Sequence, residues 1–144
     1  MIILVDMPRY TVLCGHLCTA NIISERGPAG AGGHRVFFPL ATLAAALPTL
    51  EKIPLRYHKQ VIGFTEYGIF SHTWHPWNDD LLIRARLDLT SGPEAIAEVR
   101  KQAKILACAY EIAEVEVKDM YADVWEITKC VFTGVSLKPE EEIA

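Results

Sequence analysis

Five histidines, four cysteines and a scatter of carboxylates are the side chains of this chain that can do chemistry. Among the histidines, His58 stands out as a general-base candidate, because it follows a short apolar strand and lies between Tyr57 and Lys59. A base placed there needs a nucleophile within hydrogen-bond reach, a group that orients it, and donors for a developing oxyanion. His72 and His75 are three residues apart beside Trp74, Trp77, Asp79 and Asp80, and form the one metal-like cluster. Catalytic zinc takes three rigidly held protein ligands. This segment reads instead as a hairpin connection without an HExxH helix, so an aromatic contact surface is the preferred reading and no metal is expected. Cys14, Cys18, Cys108 and Cys130 lack zinc-ribbon or CxxC spacing and read as reduced, packed thiols.

The elements that must position these groups follow from periodicity. MIILVDM reads as a first strand, and Tyr10 to Ile23 as one or two more. The GPAGAGG run, Gly27 to Gly33, is a loop; it lacks both the P-loop ending and the GxGxxG spacing. Pro39 opens a helix with Leu40, Leu43, Ala44 and Leu47 on one side, which Pro48 should end. Ile53 to Tyr57 is a strand delivering His58, and Val61 to Tyr67 is another. Leu81, Ile83, Ala85, Leu87 and Leu89 alternate with mostly polar neighbours, the signature of a half-buried antiparallel strand. Ser91-Gly92-Pro93-Glu94 starts a second helix, which runs to about Lys104. Strands follow at Leu106–Ile112, Ala113–Val117, Val124–Ile127 and Cys130–Leu137, and the charged PEEEIA tail should fray.

With 144 residues, 51% hydrophobic and 22% charged, the chain reads as one globular α+β domain, residues 1–144, on a largely antiparallel sheet or barrel. A net charge of −4 with no dense basic run argues against a nucleic-acid partner. No apolar run approaches the roughly 18 residues of a membrane span, and the opening lacks the basic n-region of a signal peptide. A soluble, intracellular protein without cofactor is the expectation.

Two segments carry a resemblance. HRVFFPLATLAAALPTLEKIPLRYHKQ and KILACAYEI resemble the two catalytic blocks of the prohead, or capsid-maturation, serine proteases of tailed bacteriophages, which share a fold with the herpesvirus assemblins. In that family the first block ends in the general-base His, and the second reads roughly G-(V/L)-S-x-(E/G)-hydrophobic around the nucleophile. Laid on that pattern, His58 takes the place of the base. Cys108-Ala109-Tyr110-Glu111-Ile112 then puts Ala109, 51 residues later, in the serine's slot. The third member is a second His in assemblins, or in many phage enzymes an acid just before a V-S-L-like strand. Here that strand reads CVFTGVSLKPEEE, with Gly134 in the acid's place, so Asp123 and Glu126 are substitutes to weigh. Glu111 reads better as a structural partner of an Arg. Cys108 cannot stand in for the serine, because neighbours in a strand face opposite ways.

The resemblance covers about Val36 to Leu137. It implies an assemblin-like antiparallel β-barrel flanked by the Pro39–Leu47 and Pro93–Lys104 helices, with His58 and Ala109 on neighbouring strands. It also implies an endopeptidase acting by serine acyl transfer on capsid or scaffold precursor, in the host cytoplasm inside the assembling procapsid, with a homo-oligomer plausible. An alanine at position 109 makes this an inactive form, whether engineered or natural. The alternative is a non-catalytic structural or assembly protein on the same scaffold. Full phage proteases often continue into a long tail beyond the last family strand, so this chain is expected to be a truncated catalytic core.

Overall fold

The computed structural model describes residues 1–72, 77–88 and 92–143. Eight strands and three helices follow one another as β1 (Ile3–Asp6), β2 (Thr11–Thr19), β3 (Arg35–Phe37), α1 (Leu40–Ala46), β4 (Pro54–Tyr57), β5 (Gln60–Ser71), β6 (Asp80–Leu87), α2 (Pro93–Gln102), β7 (Leu106–Val117), β8 (Val124–Pro139) and α3 (Glu140–Ile143), with a 3-10 turn at Leu47–Leu50 after α1. The class is the expected α+β. Leu89, Ser91, Trp74 and His75, which figured in the sequence reading, lie outside the described residues.

The strands form one mixed sheet in the order β1-β2-β6-β5-β4-β8, and β7 lies along the other edge of β8. Pairing is antiparallel except where β3 and β4 join β8 in parallel. The sheet is open, which corrects the closed barrel of the sequence reading. β2 packs on β7 through side chains, and among the described residues no ladder joins them. Bulges at His16/Cys18, Leu55/Arg56, Thr65/Tyr67 and Glu111/Ile112 each add local twist. The concave side holds the core, in which Leu13, Leu55, Ile62, Leu81, Leu106 and Val135 are fully buried.

Alternation in β6 holds as read, with Leu81, Ile83, Ala85 and Leu87 buried. The pairs expected at Leu106–Ile112 with Ala113–Val117, and at Val124–Ile127 with Cys130–Leu137, are instead two long strands. Bulges absorb the breaks in alternation without ending the pairing. α1 ends at Ala46, ahead of Pro48 as expected, and Pro48 sits in the first turn of the 3-10 segment that follows, where its missing N–H costs nothing. The tail forms one helical turn, α3, whose Glu140 N–H bonds to the Ile105 carbonyl at 2.7 Å.

Two buried threonines, Thr42 and Thr65, and the half-buried Thr49 tie the helix-to-strand connection in place. Thr42 Oγ1 donates to the Ile127 carbonyl at 2.7 Å, and Thr49 Oγ1 accepts the Phe132 N–H at 3.0 Å. Thr65 Oγ1 donates to the Leu50 carbonyl and accepts the Ile53 N–H at 3.1 Å. These bonds set where β4 begins, and therefore where its far end delivers His58.

Candidate functional site

β4 runs Pro54–Tyr57 and ends where the sequence reading placed it. His58 itself is not on the strand. With Lys59 it forms the two-residue turn to β5, and both have positive φ, 47° and 67°. Two left-handed residues make the turn type whose twist suits a hairpin. His and Lys are poor choices for it compared with Asn-Gly, since a non-glycine residue held there costs on the order of 1 kcal/mol or more. The imidazole is exposed at this tip and leans on the Tyr57 ring, with centroids 4.2 Å apart.

Register then decides what can face it. Tyr57 pairs with Leu137 on β8, which pairs with Cys108 on β7. All three are buried, so this row points into the core. Partners across strands share a face and neighbours along a strand alternate. The rows on either side therefore point outward. One consists of Arg56, Ser136 and Ala109. In the other, the His58 turn comes level with Lys138, whose partner on β7 is Ala107.

His58 and Ala109 thus belong to one sheet but not to neighbouring strands, because β8 runs between β4 and β7. Two strand spacings of about 4.8 Å separate the outer pair. The contact expected across adjacent strands is replaced by an arrangement in which Ser136 and Lys138 stand between. The β7 residue level with His58 is Ala107, and Ala109 is level with Arg56. Two cavities reflect the division. One, of about 590 Å³, is lined by His58, Arg56, Lys59, Ser136 and Lys138. The other, of about 580 Å³, lies in the seam between β2 and β7 and is lined by Ala107, Ala109, Tyr110, Leu17 and Ile23. Ser136, Lys138, Glu111 and Glu142 form walls of both.

Cys108 lies on the core side, as alternation required, and burial pushes its thiol up to about 12. Glu111 does pair with an arginine, its Oε1 lying 3.4 Å from Arg56 Nη1. The two side chains meet above β8 at Gly134. A Cβ there would come within 2.8 Å of the Glu111 oxygen and 2.9 Å of the Arg56 nitrogen. Asp123 and Glu126 sit at the opposite end of β8: the Asp123 carbonyl lies 3.2 Å from His34 Nδ1, and Glu126 pairs with Lys118 at 4.0 Å. Neither is near His58.

A polar cluster that sequence reasoning did not find lines the seam. Asp80, fully buried, accepts from Thr19 Oγ1 at 2.6 Å and from His16 Nε2 at 3.0 Å, and the His16 ring lines the cavity. A buried carboxylate holding an imidazole in this way fixes its orientation. The partners come from β2 and β6, 61 to 64 residues apart, so no local spacing announces them. Arg56, Ser136 and Lys138 were also missed. Their alternation with buried residues is visible in PLRY and VSLKP, but their meeting depends on the parallel β4–β8 register.

His72 Nε2 lies 2.6 Å from Asp79 Oδ1. Among the described residues no three His, Cys, Asp or Glu side chains gather as a metal site, and no helix is long and apolar enough to cross a membrane. Comparison with protein-family models, with curated proteins and with solved structures returned no match.

Proposed function

We propose that this chain is a capsid-assembly protein on an assemblin-like, prohead-protease scaffold, which holds an extended segment of scaffold or capsid precursor without cutting it. The observation that carries this reading is the pair of alanines on β7. Ala107 comes level with the His58 turn and Ala109 with Arg56, so β7 brings no hydroxyl to either outward row. The nearby thiol, Cys108, is buried on the other face, and Ser136 belongs to the middle strand. Acyl transfer cannot begin without a nucleophile beside its base. The segment-holding part of the reading is supported by an imidazole at a hairpin tip, an Arg–Glu pair over Gly134, and cavities on both sides of β8. Its place of action on this reading is the assembling procapsid in the host cytoplasm.

The test uses the intact chain and its Ala107→Ser and Ala109→Ser variants, each incubated with the capsid and scaffold precursors of the phage that encodes it. Retention is read by co-sedimentation and cleavage by mass spectrometry. The unaltered chain is expected to retain precursor and leave it whole. Because two strand spacings separate β7 from β4, neither serine variant is expected to cut, and cutting by either one that His58→Ala abolishes would refute the non-catalytic reading. Cleavage by the unaltered chain, or failure of all three proteins to retain or cut precursor, would refute the reading.

A further inference from the structure

We infer that the outward face of the β4–β8 pair binds an acidic peptide segment, recognised through carboxylates on alternate residues. This deepens the proposed segment-holding role and rests on it. The chain carries a formal net charge of −4, yet this face gathers Arg56, Lys59 and Lys138 with His58 around one cavity of about 590 Å³. Lys59 and Lys138 are exposed and make no ion pair among the described residues. Arg56 reaches Glu111 only at 3.4 Å, longer than the 2.7–2.9 Å of a strong charge-assisted bond. Its remaining guanidinium donors are available to a second carboxylate, and the Ser136 side chain beside it adds a hydroxyl.

Spacing identifies the form of the ligand. Ser136 and Lys138 are alternate residues of one strand, and Arg56 and the His58 turn run parallel beside them. Arg56, level with Ser136, and Lys138 therefore stand one repeat of about 6.5–7 Å apart along the strand direction. Alternate side chains of an extended peptide have that same repeat, so a segment with acids at i and i+2 matches the face. The chain already presents an acid of its own there. Glu142, on α3, lines this cavity, and the turn that carries it is pinned by Arg26, which donates to the Glu142 and Glu141 carbonyls at 2.7 and 2.9 Å. Glu142 thus sets a negative charge at the cavity wall, unpaired with Lys59 or Lys138 among the described residues, that would repel an incoming carboxylate.

Fluorescence anisotropy with the full chain tests this, using a labelled nine-residue peptide with Glu at alternate positions and its Gln counterpart. The Glu peptide is expected to bind saturably and about tenfold or more tighter than the Gln peptide, a difference of about 1.4 kcal/mol. Raising salt from about 0.05 to about 0.5 M should weaken it severalfold, as screening requires. Charge reversal at two exposed positions, Lys59→Glu with Lys138→Glu, should abolish the preference, and Glu142→Gln should tighten binding. Circular dichroism of each variant checks that the fold is retained. Inorganic phosphate at millimolar levels should not displace the peptide; displacement would make this a simple oxyanion site and overturn the inference. Equal binding of the two peptides, or indifference to the Lys reversals, would overturn acid selectivity while leaving the segment-holding reading intact. Binding of neither peptide would overturn this inference, whereas precursor retention tests the broader reading separately.

Discussion

Gly15→Ala probes how the open sheet is held at its seam. Gly15 lies in β2 opposite Ile83, buried, and a Cβ built on it would stand 2.6 Å from Cys108 Sγ and 3.4 Å from Ile2 Cγ2. Real Cβ atoms do not approach that closely, so β2 and β7 must part or the thiol must turn. Overpacking of a well-filled core costs typically 1–3 kcal/mol, and Cys108 has little room in which to move, being buried at 2% exposure. Cys108→Ala alone deletes one buried heavy atom, which by comparison with one-methyl deletions costs about 0.5–1.5 kcal/mol. In the double variant the added methyl enters the space the sulfur vacated. Its loss should therefore fall below the sum of the single losses by about 1–2 kcal/mol, a coupling typical of residues in contact. Urea unfolding of the four proteins at constant pH measures each term, provided the slopes agree. Additive losses, within about 0.5 kcal/mol, would show that Gly15 and Cys108 do not meet and that β2 does not pack on β7 here.

Alkaline pH should also weaken the fold. Burial raises the Cys108 thiol to about 12 and the Cys130 thiol to about 11, from an ordinary value of 9.0. Their folded-state pKa values are raised, so the stability they contribute is complete below the unfolded value and is lost as pH climbs from about 9 toward 11 or 12. Urea midpoints should fall between about pH 8.5 and 10.5, by less than about 1.4 kcal/mol per unit for each thiol; the Cys108→Ala variant should fall less steeply, and identical slopes would refute the assignment. Thr65→Val should cost about 1–3 kcal/mol by the same unfolding assay, because the Ile53 N–H and Leu50 carbonyl lose the hydroxyl between them in a buried site. A loss below about 0.5 kcal/mol would mean that the hydroxyl does not lock the entry to β4.

What the sequence determined by itself was local. Alternation marked the buried face of β6, proline and apolar spacing marked α1 and α2, and PLRY followed by HK marked a strand ending at Tyr57, just before His58. Strict parity along β7 was enough to turn Cys108 inward if Ala109 faced out, and Glu111 was readable as an arginine's partner. These features depend on the two-residue period of a strand or the 3.6-residue period of a helix, and both periods are written in consecutive residues. What only the tertiary structure decided was which strand lies beside which. β8 enters between β4 and β7, pairing with one in parallel and with the other antiparallel, and so separates His58 from Ala109 and brings Ala107 level with the histidine's turn. The same pairing assembles Arg56, Ser136 and Lys138 on one face, while that of β2 with β6 joins His16 to Asp80. A strand's side-chain pattern repeats every two residues and is almost indifferent to its neighbour's identity or direction. Register and strand order are set instead by the packing of the whole apolar face, which bulges shift by single residues, and no single segment carries that information.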